Sequence, residues 1–197
     1  GTEPDLSQVR PQLTLLADVR PLGLPTVATS SLITAVSDAT PKLADYPFTT
    51  LQPNLGVGRM GPMQSFVMAD LPGLIEGAAE GHGLGIHFLK HLSRCRLLLH
   101  MIDLSDRGAK ESPVKQFRTI ETELSGYQKS LAEKDRWLVF NKTDLLTEDQ
   151  LAATIQSTCE ALQWQGPVFA ISTVTKSGLD ELNQAILNYL ENSEQKS

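Results

Sequence analysis

Cysteine is scarce in this sequence: Cys95 and Cys159 are the only two in 197 residues, and they lie too far apart in sequence to form a metal-ligand pair. That argues against a disulfide framework and a structural zinc site, and both thiols read as reduced core residues of a reducing compartment. There is no apolar run of 18 residues and no export signal, so neither a membrane span nor a secreted product is expected, and the location expected is the cytoplasm. Basic charge is also in short supply. Seventeen Lys and Arg face 23 Asp and Glu, giving a net charge of −6 and a pI near 5.2. No global positive field is present to recruit DNA, and any RNA contact has to be local. What remains is ordinary: 41% hydrophobic and 20% charged residues fit a globular domain rather than disorder.

The length suits one domain with a real core. Residues 1–12 are polar with two prolines and read as a linker, 13–191 as the domain, and 192–197 as a polar tail. Leu13–Val19 reads as a buried strand that Arg20-Pro21 interrupts, since proline sits badly in a central strand. Ser30–Ser37 reads as a helix start and Asp38–Thr50 as a loop. Leu51–Val57 and Ser65–Ala69 read as strands joined by a hairpin through Gly58–Pro62. Ile86–Ser93 reads as a helix. Arg96–Asp103 and Trp137–Asn141 are short apolar runs typical of buried parallel strands. Pro113–Leu131 fits a helix capped by Ser112. Thr147-Glu-Asp-Gln150 is a capping box opening another helix, to about Leu162. Pro167–Ile171 reads as a strand, and Leu179–Leu190 as a closing amphipathic helix. Strands alternating with helices predict an α/β fold, a mostly parallel six-stranded sheet covered on both faces, with ligands at the carboxyl ends of the strands.

The chemistry-bearing residues follow strand ends. After the first strand come Gly23, Leu24, Pro25, Thr26, Val27, Ala28, Thr29, Ser30 and Ser31, a tight loop leading into a helix, as in phosphate-binding loops. Against the pattern G-x-x-x-x-G-K-[ST], Gly23 and Ser30 are in place, while Ala28 replaces the second Gly and Thr29 the Lys. Another strand ends in Asp70-Leu71-Pro72-Gly73, which suits Mg²⁺ through water and a terminal phosphate, although Asp-x-Pro-Gly is also an ordinary turn. The run Asn141-Lys142-Thr143-Asp144 is the strongest signal. A carboxylate at Asp144 accepts the two N–H donors that guanine offers and adenine lacks. Asn141 ties neighbouring loops, and the Lys142 stem covers the base plane. Ser172, Thr173 and Val174 form a small-residue turn whose N–H groups suit a base oxygen. His87 and His91 stand four apart without a third ligand, and Lys90, Arg94 and Arg96 make a short basic stretch. Both read more simply as helix surface.

In this order the motifs resemble the guanine-nucleotide domain of the Obg family, the bacterial ribosome-associated GTPases, over about Leu13 to Glu191. Leu74-Ile-Glu-Gly-Ala-Ala-Glu-Gly-His-Gly-Leu-Gly-Ile-His-Phe-Leu-Lys90 closely resembles that family's second switch. Tyr46-Pro-Phe48-Thr49-Thr50-Leu51 with Pro53-Asn54-Leu55-Gly56 resembles its first. The resemblance implies a three-layer P-loop NTPase fold of the Ras-like G-domain type, excised from its N- and C-terminal companion domains. It further implies GTP or GDP as ligand and Mg²⁺ held by Ser30 and Thr50, with Asp70 acting through water. The Gly73 N–H would sense the γ-phosphate, and Phe48 and Thr49 would line the nucleotide. Thr50, Asp70 and Gly73 would carry catalysis. Leu74 stands where Ras-like enzymes have glutamine, so hydrolysis is expected to be slow or to need a partner. The implied partner is the large ribosomal subunit, with a role in its biogenesis and in stress control. A monomer with no membrane or DNA partner is expected.

The departures from the family pattern cluster between Arg20 and Thr29. Thr29 lacks the ammonium that neutralises the β- and γ-phosphates, and Ala28 adds a Cβ where the loop needs close approach. Thr26 replaces an asparagine that helps to hold potassium in related GTPases, so a potassium ion is in doubt. Two functions therefore stand open: a Mg²⁺-dependent, slow GTPase switch, or a nucleotide-impaired G domain acting as a binding module without turnover.

Overall fold

The computed structural model describes residues 18–23, 29–37, 42–43, 54–61, 64–70, 95–105, 111–127 and 134–196. In chain order the elements are β1 (Val19–Leu22), α1 (Thr29–Val36), β2 (Lys42–Leu43), β3 (Asn54–Gly61), β4 (Gln64–Asp70) and β5 (Leu97–Asp103). There follow α2 (Pro113–Tyr127), β6 (Arg136–Asn141), a 3₁₀ turn (Thr143–Leu145), α3 (Glu148–Leu162), β7 (Val168–Ala170) and α4 (Leu179–Glu194). One sheet holds all the strands in the order β2-β3-β4-β1-β5-β6-β7. From β4 to β7 every neighbouring pair is parallel, and β3 runs antiparallel to both β2 and β4. Six strands of three or more residues form the expected, mostly parallel sheet, and the two-residue β2 extends its edge inside the span read as loop 38–50.

Helices cover both faces, because alternate residues of each central strand are apolar on both sides. On one face Leu32, Ile33 and Val36 of α1 join Leu182, Ile186 and Leu190 of α4 over Leu97, Leu99, Met101 and Val139. On the other, Phe117 of α2 and Ile155, Cys159 and Leu162 of α3 meet Ile102, Leu138 and Phe140. All seven residues of β5 are buried, His100 and Asp103 among them. The helix ends follow local chemistry. Ser112 Oγ accepts the Lys115 N–H at 3.2 Å. At α3 the capping box closes both ways, Gln150 N–H to Thr147 Oγ1 at 3.2 Å and Thr147 N–H to Gln150 Oε1 at 3.1 Å. No described helix is long and apolar enough to cross a membrane.

Two expectations need correction. The strand does not stop at Arg20-Pro21: β1 runs through both, in register with β5 from Val19↔Leu97 to Leu22↔His100. Proline is tolerated because neighbouring backbone groups point to opposite sides of a strand. The parallel register of β1 with β5 runs on through Pro21↔Leu99, so a missing N–H at Pro21 leaves that side of the strand paired. Pairing with β4 is confined to Val19↔Met68. The hairpin glycines are likewise strand residues, with Gly58 and Gly61 in β3. A side chain at Gly58 would run into the Phe66 ring. At Gly56 one would meet Ile33 Cγ2 at 2.5 Å, so these glycines let α1 and β4 approach β3. The strand residues 13–17 and the helix 86–93 lie outside the described residues, as do His87, Lys90, His91 and Arg94. Arg96 is engaged by Glu194 at 3.3 Å.

Candidate functional site

Because β1, β4, β5, β6 and β7 run parallel, their carboxyl ends share one edge of the sheet. Gly23, Asp70, Asp103, Asn141 and Ser172 therefore come at or just after strand ends along that edge. The crevice lies where the chain leaves β1 for one side of the sheet and later returns to β5 on the other. In open α/β sheets that is where ligands bind.

The β6–β7 end of this edge is described in full. Asn141 is buried at the end of β6, and its Oδ1 accepts the Lys142 N–H at 2.8 Å. That bond turns Lys142 into the left-handed region, φ 67° and ψ 37°, and the 3₁₀ turn from Thr143 follows. Asn141 Nδ2 has no partner among the described residues, so one buried donor awaits a group outside them. Thr143 donates both its N–H and its hydroxyl to the Ile171 carbonyl, at 3.3 and 3.1 Å. Asp144 is exposed, and its Oδ1 accepts the Ser172 hydroxyl at 2.7 Å. Ser172 is buried and in turn accepts the Thr175 N–H at 3.1 Å, while its own N–H donates to the Ser177 carbonyl. One carboxylate oxygen is thus held by the protein, and the other is left to face solvent or a ligand. Leu145 and Val174 are the large exposed hydrophobic residues of the described chain; Leu145 follows Asp144 directly and Val174 comes two residues after Ser172. Gly178, at φ 76°, opens α4 against the Ala170 carbonyl, where a side chain would collide.

The β1–α1 end is described in part. Gly23 follows β1 directly and Thr29 is the first residue of α1, so the connecting loop leads into a helix N-terminus, as a phosphate site requires. No Lys or Arg occurs between Arg20 and Lys42. Arg20 offers no substitute cation, since its charge is felt at Cys95, ahead of β5 and away from the carboxyl edge. There it lowers a thiol pKa that burial raises more strongly. Ser30 lies in the first turn of α1, and Asp70 ends β4, the neighbour of β1. Hydroxyl and carboxylate oxygens are donors that fit Mg²⁺. Leu24 to Ala28, Phe48 to Thr50 and Leu71 to Leu74 lie outside the described residues. Within those described, no group of three His, Cys, Asp or Glu converges on a metal position.

A family model described as 50S ribosome-binding GTPase matches residues 19–142. The chain belongs to that family. This GTPase-family chain also matches solved structures. The structure of nucleolar GTP-binding protein 1 from Plasmodium falciparum superposes with a TM-score of 0.64 at 20% identity, covering 92% of this chain and 89% of that one. The G domain of the T. maritima FeoB iron transporter gives a TM-score of 0.60 at 20% identity, over 89% of this chain and 99% of that one. The GMPPNP form of the FeoB cytosolic domain gives 0.61 at 20% identity, over 88% of this chain but 64% of that one. At such identities the likeness shows the fold, a P-loop GTPase G domain.

Two residues of this G domain escaped the sequence reading. Asp103, at the end of β5, pairs with Lys142 Nζ at 3.0 Å with its carboxylate almost fully buried. His100 is fully buried in mid-β5, stacked on Phe117 with ring centroids 4.1 Å apart, and its pKa is lowered to about 3, chiefly by burial and further by the Arg136 charge. A carboxylate closing the otherwise apolar run from Leu97 to Ile102, at the same edge as Asn141, was the available signal for Asp103.

Proposed function

We propose that this chain is an Obg-type G domain, spanning about residues 13–191, that binds GTP and GDP through guanine recognition by Asp144. The carrying observation is the Asp144 carboxylate, oriented from Ser172 at 2.7 Å beside the buried Asn141. An acceptor fixed before the ligand arrives loses its hydrogen bonds with adenine, which is how such a site discriminates. Ser172, Thr173 and Val174 border the base, and Lys142 covers its plane. At the other end Gly23 to Ser31 wrap the phosphates, with the first turn of α1 facing the anion. Mg²⁺, held by Ser30 and Thr50 and through water by Asp70, would neutralise charge on the phosphates. Phe48 and Thr49 line the nucleotide. The Gly73 N–H reads the γ-phosphate, and with Leu74 unable to orient water, turnover is slow. The large ribosomal subunit is the partner that the family description and the switch motifs support, in a cytoplasmic role in its assembly.

A second reading has its own support: Thr29 opens α1 with a hydroxyl where the phosphate-loop pattern has an ammonium, and no Lys or Arg stands between Arg20 and Lys42 in the sequence. In that case the domain presents its surfaces with little nucleotide and no turnover. Equilibrium binding of fluorescent GDP, with and without Mg²⁺ and with ATP as competitor, tests both. Guanine nucleotides are expected to outcompete adenine nucleotides by well over tenfold, roughly 1.4 kcal/mol or more. Equal competition removes the guanine assignment, and sub-micromolar GDP binding by the chain as it stands removes the impaired reading.

A further inference from the structure

Asp103 is bound from every side. Its Oδ1 accepts the Ser105 N–H at 2.8 Å and its Oδ2 takes the Lys142 ammonium at 3.0 Å. Gln116, buried on α2, holds the same residue's backbone: Oε1 accepts the Asp103 N–H at 2.9 Å and Nε2 donates to the Asp103 carbonyl at 2.9 Å. That nitrogen also donates to the Glu111 carbonyl at 3.2 Å. The Gln116 carboxamide thus acts as a strand partner supplied by a helix, and it fixes where the carboxylate stands. The Leu104 N–H to the Asn141 carbonyl, at 3.1 Å, carries the β5–β6 ladder one step past both strand ends. The anchor for Lys142 is therefore fixed by the protein's own hydrogen bonds.

The lysine needs such an anchor. Its stem has four rotatable bonds, and an ammonium free in solvent would leave it no preferred course. Its Cα is set by the left-handed turn after Asn141, and its Nζ is set by Asp103 on the neighbouring strand. With both ends held, the methylenes cross from the end of β6 to the end of β5, the strand next to β1. That course lies along the carboxyl edge between the Asp144 and Gly23 ends of the site.

We infer that Asp103, seated by Gln116, is a positioning residue for the guanine site. It clamps the Lys142 ammonium so that the lysine stem is laid in advance across the plane the base will occupy. The inference rests on the proposed guanine reading of Asn141–Asp144 and assigns Asp103 a role that acts only through Lys142.

The test is a double-mutant cycle on GDP affinity and release in the chain as it stands and in its Ala28→Gly/Thr29→Lys form. The variants are Asp103→Asn, Lys142→Met and the pair. Asp103→Asn keeps the acceptor for Ser105 but removes the charge, and Lys142→Met keeps most of the stem but removes the ammonium. Each single change is expected to weaken GDP binding about tenfold, through faster release, and the pair no more than either alone. A clamp that serves only the fold would lower the unfolding midpoint and leave the GDP Kd of the folded chain unchanged, which overturns the inference. Additive losses overturn it too. The lysine Nζ proton signal in nitrogen-15 spectra of the unsubstituted chain gives a readout that needs no variant. It is expected to be slowly exchanging and to persist with GDP bound, and its absence refutes the clamp. Failure of GDP to bind either parent chain instead refutes the guanine reading, and the clamp's role with it.

Discussion

At the β6–β7 end of the sheet the protein itself ties down the polar side chains, whereas at the β1–α1 end the described residues supply a helix N-terminus that opens with Thr29 rather than a lysine. Asp144 leans on Ser172, Lys142 on Asp103 and Thr143 on Ile171, each partner coming from another strand end. Thr29 opens α1 with no such tie among the described residues. On the proposed reading, base recognition is a tertiary property spread over β5, β6 and β7, while the share of phosphate binding carried by Gly23–Ser31 hangs on a few consecutive residues. On that reading the two halves should fail separately: a change in the phosphate loop is expected to lower affinity without altering which base is chosen.

The largest expected effect breaks the base half alone. Asp144→Asn replaces an acceptor by a donor toward guanine, so GDP binding should fall by about a hundredfold or more while xanthine nucleotides gain, read by competition titration. Loss of both nucleotides alike would count against the assignment.

Gly178→Ala strikes the scaffold under the same half. A methyl group at φ 76°, directed into the Ala170 carbonyl, should cost about 2–3 kcal/mol, seen as a lower denaturant midpoint with an unchanged m-value. An unshifted midpoint would mean that the turn into α4 relaxes freely.

Repairing the phosphate half should sharpen the contrast. Ala28→Gly with Thr29→Lys restores one charge-assisted contact and is expected to tighten Mg²⁺-GDP binding at least tenfold, roughly 1.4 kcal/mol, and to bring slow, measurable GTP hydrolysis. The guanine-over-adenine ratio should stay constant, and a changed ratio would show the halves to be coupled.

The last effect leaves binding aside and belongs to His100, in β5 between the two halves. Its folded pKa, about 3, lies below the ordinary 6.5. The unfolded chain therefore takes up a proton that the folded chain refuses. Stability is whole above about pH 6.5 and declines toward pH 3, by about 1.4 kcal/mol per pH unit at most. His100→Leu should flatten urea-unfolding free energies between about pH 7 and pH 5 by up to that slope. An unchanged slope would place the acid sensitivity elsewhere.

Some of this was legible because it is local. The capping box at Thr147 needs only residues three apart, and the apolar runs of β5 and β6 need only their own composition. Pro21 misled because its cost depends on which neighbour faces the missing N–H, and Gly58 because a turn glycine and a close-approach glycine look alike in sequence. The role of Asp103 was hidden for the same reason: its partners are Lys142, 39 positions away, and Gln116, 13 away.

The sequence by itself determined the α/β alternation, the helix caps and the order of strand-end motifs, since periodicity and capping act within a few residues. Only the tertiary structure decided that β1 runs through Pro21, that Ser172 orients Asp144 and that Asp103 holds Lys142. Those depend on strands far apart in the chain lying about 4.8 Å from one another in a single sheet, a spacing no local pattern carries.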